Sequence, residues 1–210
     1  MTGTGAGGGG AGNDPASAEN ARTREIAREV LVEAFGASAT PFVPVPFVDD
    51  WMLERLLRRI AGKVLARHPG DHGELAKKIT DAYVKTGSPS VVGSIATTAA
   101  RFVVRKLAVV MDVKKSHDVF GESIAYALAL DMAVRNGWAT DAAAAHLGAA
   151  MYRSLQVVGS GAIEGLVRAG RDAIARGISK DQVGDAIGRE VEKLRDQLDP
   201  VLRYEIHRPA

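Results

Sequence analysis

Three stretches carry side chains able to do chemistry. In "KKSHDVFGES", Asp118 and Glu122 stand one helical turn apart, His117 adjoins them and Tyr126 continues the same face. On a helix that spacing could assemble an imidazole–carboxylate metal site or an acid–base pair. A helical di-metal centre needs Glu-x-x-His repeated on partner helices, and only fragments of that pattern occur. Ser116 as an N-cap, with Asp118 in the first turn, accounts for the same residues through capping and the helix dipole. Capping is the expected reading. The alternative is a metal-binding or enzymatic helical bundle using His117, Asp118 and Glu122.

"RHPGDHGE" brings together His68, Asp71, His72 and Glu74, but Pro69–Gly70 makes a turn of it. The helical two-histidine spacing of metalloproteases is missing, so a solvated loop between helices is expected. "VGSGAIEG" has glycines at 159, 161 and 165, whereas a dinucleotide fingerprint wants glycine where Glu164 stands and a strand before it. Gly161 and Gly165 instead read as one face of a helix against which a neighbour packs closely. Ser160 lacks the outer glycines of a nucleophile elbow. His146, in an alanine-rich helix, reads as a satisfied, partly buried histidine, and His207 falls in the tail. No cofactor or metal is assigned, and the balance is against an enzyme.

The elements that would position these groups are helical. With 210 residues, 46% hydrophobic and 25% charged, the chain suits one domain plus a tail. The absence of cysteine excludes disulfides, thiolate catalysis and cysteine-ligated metals, and it is compatible with a reducing cytoplasm. A net charge of +2 does not argue for nucleic acid, and 5% aromatic residues argue against a stacking platform for single strands. "MTGTGAGGGGAGNDPASAEN" has neither the basic start nor the apolar run of a secretory signal; residues 1–16 read as a disordered glycine-rich tail. Apolar runs near 90–110 and 119–134 are interrupted by Arg101, Arg105 and Lys106, and by Glu122 and Asp131, so neither reads as a membrane span.

Periodicity predicts helices over about 17–34, 49–67, 72–86, 89–111, 116–136, 141–176 and 179–198. Asp49 or Asp50 is expected to cap the second, and Thr140 or Asp141 the sixth. Pro200 is expected to end the last. The prediction is an all-α bundle of about seven helices spanning 17–200, with a C-terminal tail at 201–210. Val183, Ile187, Val191, Leu194 and Leu198 recur at near-heptad spacing, so the last helix could also serve as an oligomer seam.

One segment does not fit a helix. "TPFVPVPFVDDW", residues 40–51, sets Pro41, Pro44 and Pro46 among Phe42, Val43, Val45, Phe47 and Val48. Proline fixes φ and removes a donor, so the strip must be extended, and its apolar side chains need cover. It is expected to lie across the bundle, or to meet a partner or membrane together with Trp51 and the arginine-rich helix that follows. That helix carries Arg55, Arg58, Arg59, Lys63 and Arg67, and a second basic cluster holds Arg101, Arg105, Lys106, Lys114 and Lys115. Both are expected to be mainly solvated faces of amphipathic helices.

"AFGASATPFVPVPFVDDWMLERLLRRIAGKVLARH" followed by "SPSVVGSIATTAARFVVRKLAVVMDVKKSHDVFGESIAYALALDMA" resembles an uncharacterised bacterial helical domain found with Era-like GTPases and in some inner-membrane proteins. The likeness covers about residues 25–135, although this chain has no GTPase domain and carries charges in its small-residue helix. The resemblance implies a helical accessory module rather than an enzyme. The expected function is a non-enzymatic interaction module in the cytoplasm, with a peripheral membrane contact as its finer form. Its partner would be a protein or an anionic membrane surface. Phe42, Phe47, Trp51, Arg55, Arg58 and Arg59 are the expected contact residues.

Overall fold

Helical periodicity is realised along the chain. A computed structural model describes residues 15–38, 48–70, 72–87, 104–158, 160–176 and 180–208, and leaves the side chains of 38, 48–50, 104–118, 160, 174, 175, 180 and 181 undescribed. Among the described residues there are seven helices and no strand: α1 (Pro15–Ser38), α2 (Val48–Leu65), α3 (Gly73–Gly87), α4 (Val104–Arg135), α5 (Ala144–Val158), α6 (Ser160–Ala175) and α7 (Lys180–His207). The fold is an all-α bundle, as the periodicity predicts.

The count agrees, but the partition differs in three places. First, α4 passes through Ser116 without a break, so Ser116 is inside a helix and is not an N-cap. No glycine or proline occurs between Val104 and Phe120, and serine in mid-helix costs only a few tenths of a kcal/mol. Second, the described residues of the long helix expected over 141–176 fall into two spans, α5 and α6, on either side of Gly159, which lies outside the described residues. α5 packs on α3 and α7, α6 on α4 and α7. Thr140 caps this region as expected, its Oγ1 accepting the Ala143 N–H at 3.3 Å.

Third, Pro200 does not end the last helix. α7 continues through it to His207, so residues 201–207 are not a tail. Pro200 lies on the exposed side, where the Asp196 carbonyl it leaves unpaired can take water. Leu198 and Leu202, one turn apart across the proline, are both fully buried and hold the helix in line.

α4 is the centre of the bundle. Every residue from Ser123 to Ala133 is buried, with α1, α2, α5, α6 and α7 packed around the helix. An apolar run surrounded by protein needs no polar face, and no helix of the described residues is long and apolar enough to cross a membrane. Its alanines let neighbours approach, and its Tyr126 hydroxyl is matched to Thr80 Oγ1 of α3 at 2.8 Å. Tyr83 stacks edge-on to Tyr126 at 4.8 Å and to Tyr152 of α5 at 5.5 Å.

α3 and α5 form the most extensive helix pair, and one glycine sets their separation. A Cβ on Gly148 would lie 2.4 Å from the Ile79 carbonyl oxygen and 2.8 Å from the Tyr83 nitrogen. Two backbones therefore touch where only hydrogen fits. Gly165 meets only the side-chain tip of Glu190 on α7, whereas Gly161 faces open space, so the two glycines do not form one packing face. In α7 the near-heptad stripe of Val183, Ile187, Val191, Leu194 and Leu198 is buried within its own chain, where α7 packs on α1, α5 and α6.

Candidate functional site

α2 and the turn after it present four separate faces. Leu57, Ile60, Ala61 and Val64 point into the core. Lys63 and Arg67 turn to α1, where Lys63 meets Glu33 at 2.8 Å and Arg67 meets Glu29 at 2.7 Å. Arg58 turns to the other side, paired with Glu54 and with Asp81 of α3. The outward face is left to Trp51, Arg55 and Arg59, four residues apart and all exposed.

Trp51 is 56% exposed, and the Arg55 guanidinium lies 5.3 Å from its ring centroid. A guanidinium over an indole face is a cation–π pair that keeps both groups at the surface. Arg59 makes no ion pair with any described residue. The other large exposed apolar side chains, Val32, Val157 and Tyr204, stand singly on α1, α5 and α7, and single exposures of that kind are ordinary. Phe42 and Phe47 lie outside the described residues, as does the extended strip before Val48. The side chains of Arg101, Arg105, Lys106, Lys114 and Lys115 lie outside them too.

A second polar assembly sits at the far end of α4, around Asp131. This carboxylate, 2% exposed, accepts Arg22 Nη2 at 2.7 Å and Arg135 Nε at 2.8 Å, with His68 Nε2 at 3.5 Å. Arg135 then reaches both oxygens of Glu19, at 2.5 and 2.7 Å. Burial alone would push the Asp131 carboxyl up, but the hydrogen bond from Arg22 and the charges of Arg135 and Arg22, with the His68 contact, outweigh it and hold the group below its ordinary range. The result is an ion network that ties α1, α4 and the α2–α3 turn together.

The sequence placed His68 in a solvated loop. The structure instead folds it inward to Asp131, 63 positions away in the chain, and to Arg22 Nη2 at 3.3 Å. His72 is half-buried at the turn, and its Nε2 meets the Pro69 carbonyl at 3.0 Å. Asp131 was visible in the sequence only as a charge interrupting "AYALALDMAV". That interruption was the available signal, since a carboxylate inside a buried helix needs a cation from elsewhere.

The set His117, Asp118 and Glu122 is only partly described. The side chains of His117 and Asp118 lie outside the described residues. Glu122 is half-buried near Tyr83, whose hydroxyl is held well above its usual range by burial first and by that carboxylate second. Among the described residues no group of three or more potential ligands converges as a metal site would. His146 is exposed, not partly buried, and its Nε2 meets the Ile206 carbonyl at 2.9 Å. His207 belongs to α7, with its ring edge-on to Trp138 at 5.9 Å.

Comparison with known proteins gives no match to a family model, a curated protein or a solved structure.

Proposed function

We propose that this protein is a non-enzymatic helical interaction module whose contact element is the outward face of α2, and that its partner is an anionic membrane surface on the cytoplasmic side. The exposed Trp51, stacked with Arg55 and in line with Arg59, carries the reading. An amphipathic ring at the lipid boundary flanked by guanidinium groups combines apolar insertion with attraction to headgroups. The four apolar side chains Phe42, Val43, Val45 and Phe47 precede the same helix in sequence and would extend the contact. The resemblance of residues 25–135 to a helical accessory domain points the same way.

The test is co-sedimentation of the full chain with phosphatidylserine-containing and with purely zwitterionic vesicles. Binding is expected only to the anionic vesicles, weakening as salt rises, since each basic residue near such a surface contributes about 1 kcal/mol. A Trp51→Ala variant and an Arg55→Glu/Arg59→Glu variant should each lower the bound fraction. No binding at low salt would remove the membrane partner from the reading.

A further inference from the structure

Between the end of α4 and the middle of α7 opens a cleft of about 530 Å³, lined in part by Glu19, Arg135, Arg195, Asp199 and Arg203. That volume suits a small organic ligand. Its three guanidinium groups are held unequally. Arg135 is fixed at both ends, by buried Asp131 and by Glu19. Arg195, only 14% exposed, has as its ion-pair partner the next residue in sequence, Asp196, which is 65% exposed. Neighbouring positions on a helix diverge, and an exposed pair of this kind contributes little. Glu19 is 3.9 Å from Arg195, and both its oxygens are already taken by Arg135; the Arg195 Nη1 donates one hydrogen to Thr23 Oγ1 at 3.3 Å and keeps its second.

Arg203 is held still more loosely. Its Nε donates to Asp199 at 3.0 Å, and its guanidinium lies 5.3 Å from the Trp138 ring centroid. Nη1 and Nη2 donate to nothing among the described residues. Two cations on α7 thus combine weak carboxylate partners with spare donors beside an open cleft. Guanidinium groups bind planar or tetrahedral oxyanions through paired hydrogen bonds that a single local aspartate does not satisfy.

We propose that this cleft is a binding site for a small organic dianion, whose carboxylate or phosphate oxygens bridge Arg195 and Arg203 and displace Asp196. The site is separate from the α2 face and does not depend on it.

Isothermal calorimetry of the full chain at pH 7.5, with succinate and with inorganic phosphate against chloride at equal ionic strength, tests the proposal. Saturable binding of at least one of the two anions is expected. Arg203→Gln, at an exposed position that leaves the core intact, should weaken it at least about tenfold, the scale of a lost charged hydrogen bond. Asp196→Asn should tighten it by removing the competing carboxylate. Asp185→Asn deletes the same charge from an exposed pair with Arg28 elsewhere on α7 and should leave affinity unchanged. No saturable heat with either anion, an unaltered affinity in Arg203→Gln, or equal tightening in the two asparagine variants would overturn it.

Discussion

At the scale of single residues, Asp131 and Gly148 constrain the molecule most. Removing one member of a buried ion pair leaves its partners uncompensated and costs about 3–5 kcal/mol. Arg22 and Arg135 keep some access to water, so Asp131→Asn should cost about 3 kcal/mol, near the low end, as read from the urea midpoint. The same carboxyl fixes a pH response. Because its pKa is lowered on folding, the unfolded chain binds more protons as acidity rises, and the contribution is whole above the ordinary carboxylate pKa of about 4. It is lost as pH falls through the lower folded value. The stability gap between wild type and Asp131→Asn should therefore narrow below about pH 4 and stay constant at neutral pH. At Gly148, alanine would gain about 1 kcal/mol of helix propensity but would press its methyl on the α3 backbone, an overpacking cost of about 1–3 kcal/mol. Backbone yields less than a side-chain tip, so Gly148→Ala should destabilise. Gly62→Ala, at an exposed position in α2 with nothing within 4 Å of the added Cβ, should stabilise by about 0.5–1 kcal/mol; thermal melts of the two variants compare them directly.

At the scale of elements, α7 shows what the sequence could and could not reveal. The spacing of Val183 through Leu198 made the helix and its buried stripe legible, because periodicity is a local property. Its end was not legible: Pro200 is a reliable local stop signal, but Leu202 and Glu205 find partners on other helices, and that tertiary gain outweighs the local rule. For the same reason the joined α4 was missed, since it depends on which neighbours are available. The outward stripe of α2 was legible as residue types, and Trp51, Arg55 and Arg59 are exposed along it. Arg58 was grouped with them only because sequence does not say which flank Asp81 occupies. The His68–Asp131 pairing, spanning two turns of topology, had no local trace. Restoring a donor at Pro200→Ala should raise stability by about 2 kcal/mol: proline costs about 3 in a helix, less up to about 1 for the freer unfolded chain. A calorimetric melt reads that change.

At the scale of the whole molecule, α7 closes the bundle. It meets α1 along its length, where Arg24 pairs with Glu192 and Arg195 with Thr23, and it meets α4, α5 and α6. Its last two turns belong to that closure. Leu202 is fully buried, Glu205 takes Arg153 at 2.6 Å, and the Ile206 carbonyl takes His146. Ending the chain after Pro200 should therefore cost more than about 3 kcal/mol, as lost leucine burial alone is worth about 1.5–3 kcal/mol and a stranded Arg153 adds to it. The midpoint of urea unfolding would show it, and an unchanged midpoint would mean the last turns are ornamental. The closing position of α7 also sets a schedule for synthesis. A growing chain offers α1 early, but α7, which covers it, is translated after the other six described helices, so greasy surfaces on α1, α4 and α5 stay open until about residue 207 has emerged. A ribosome stalled before that point would display an unfinished, chaperone-hungry intermediate.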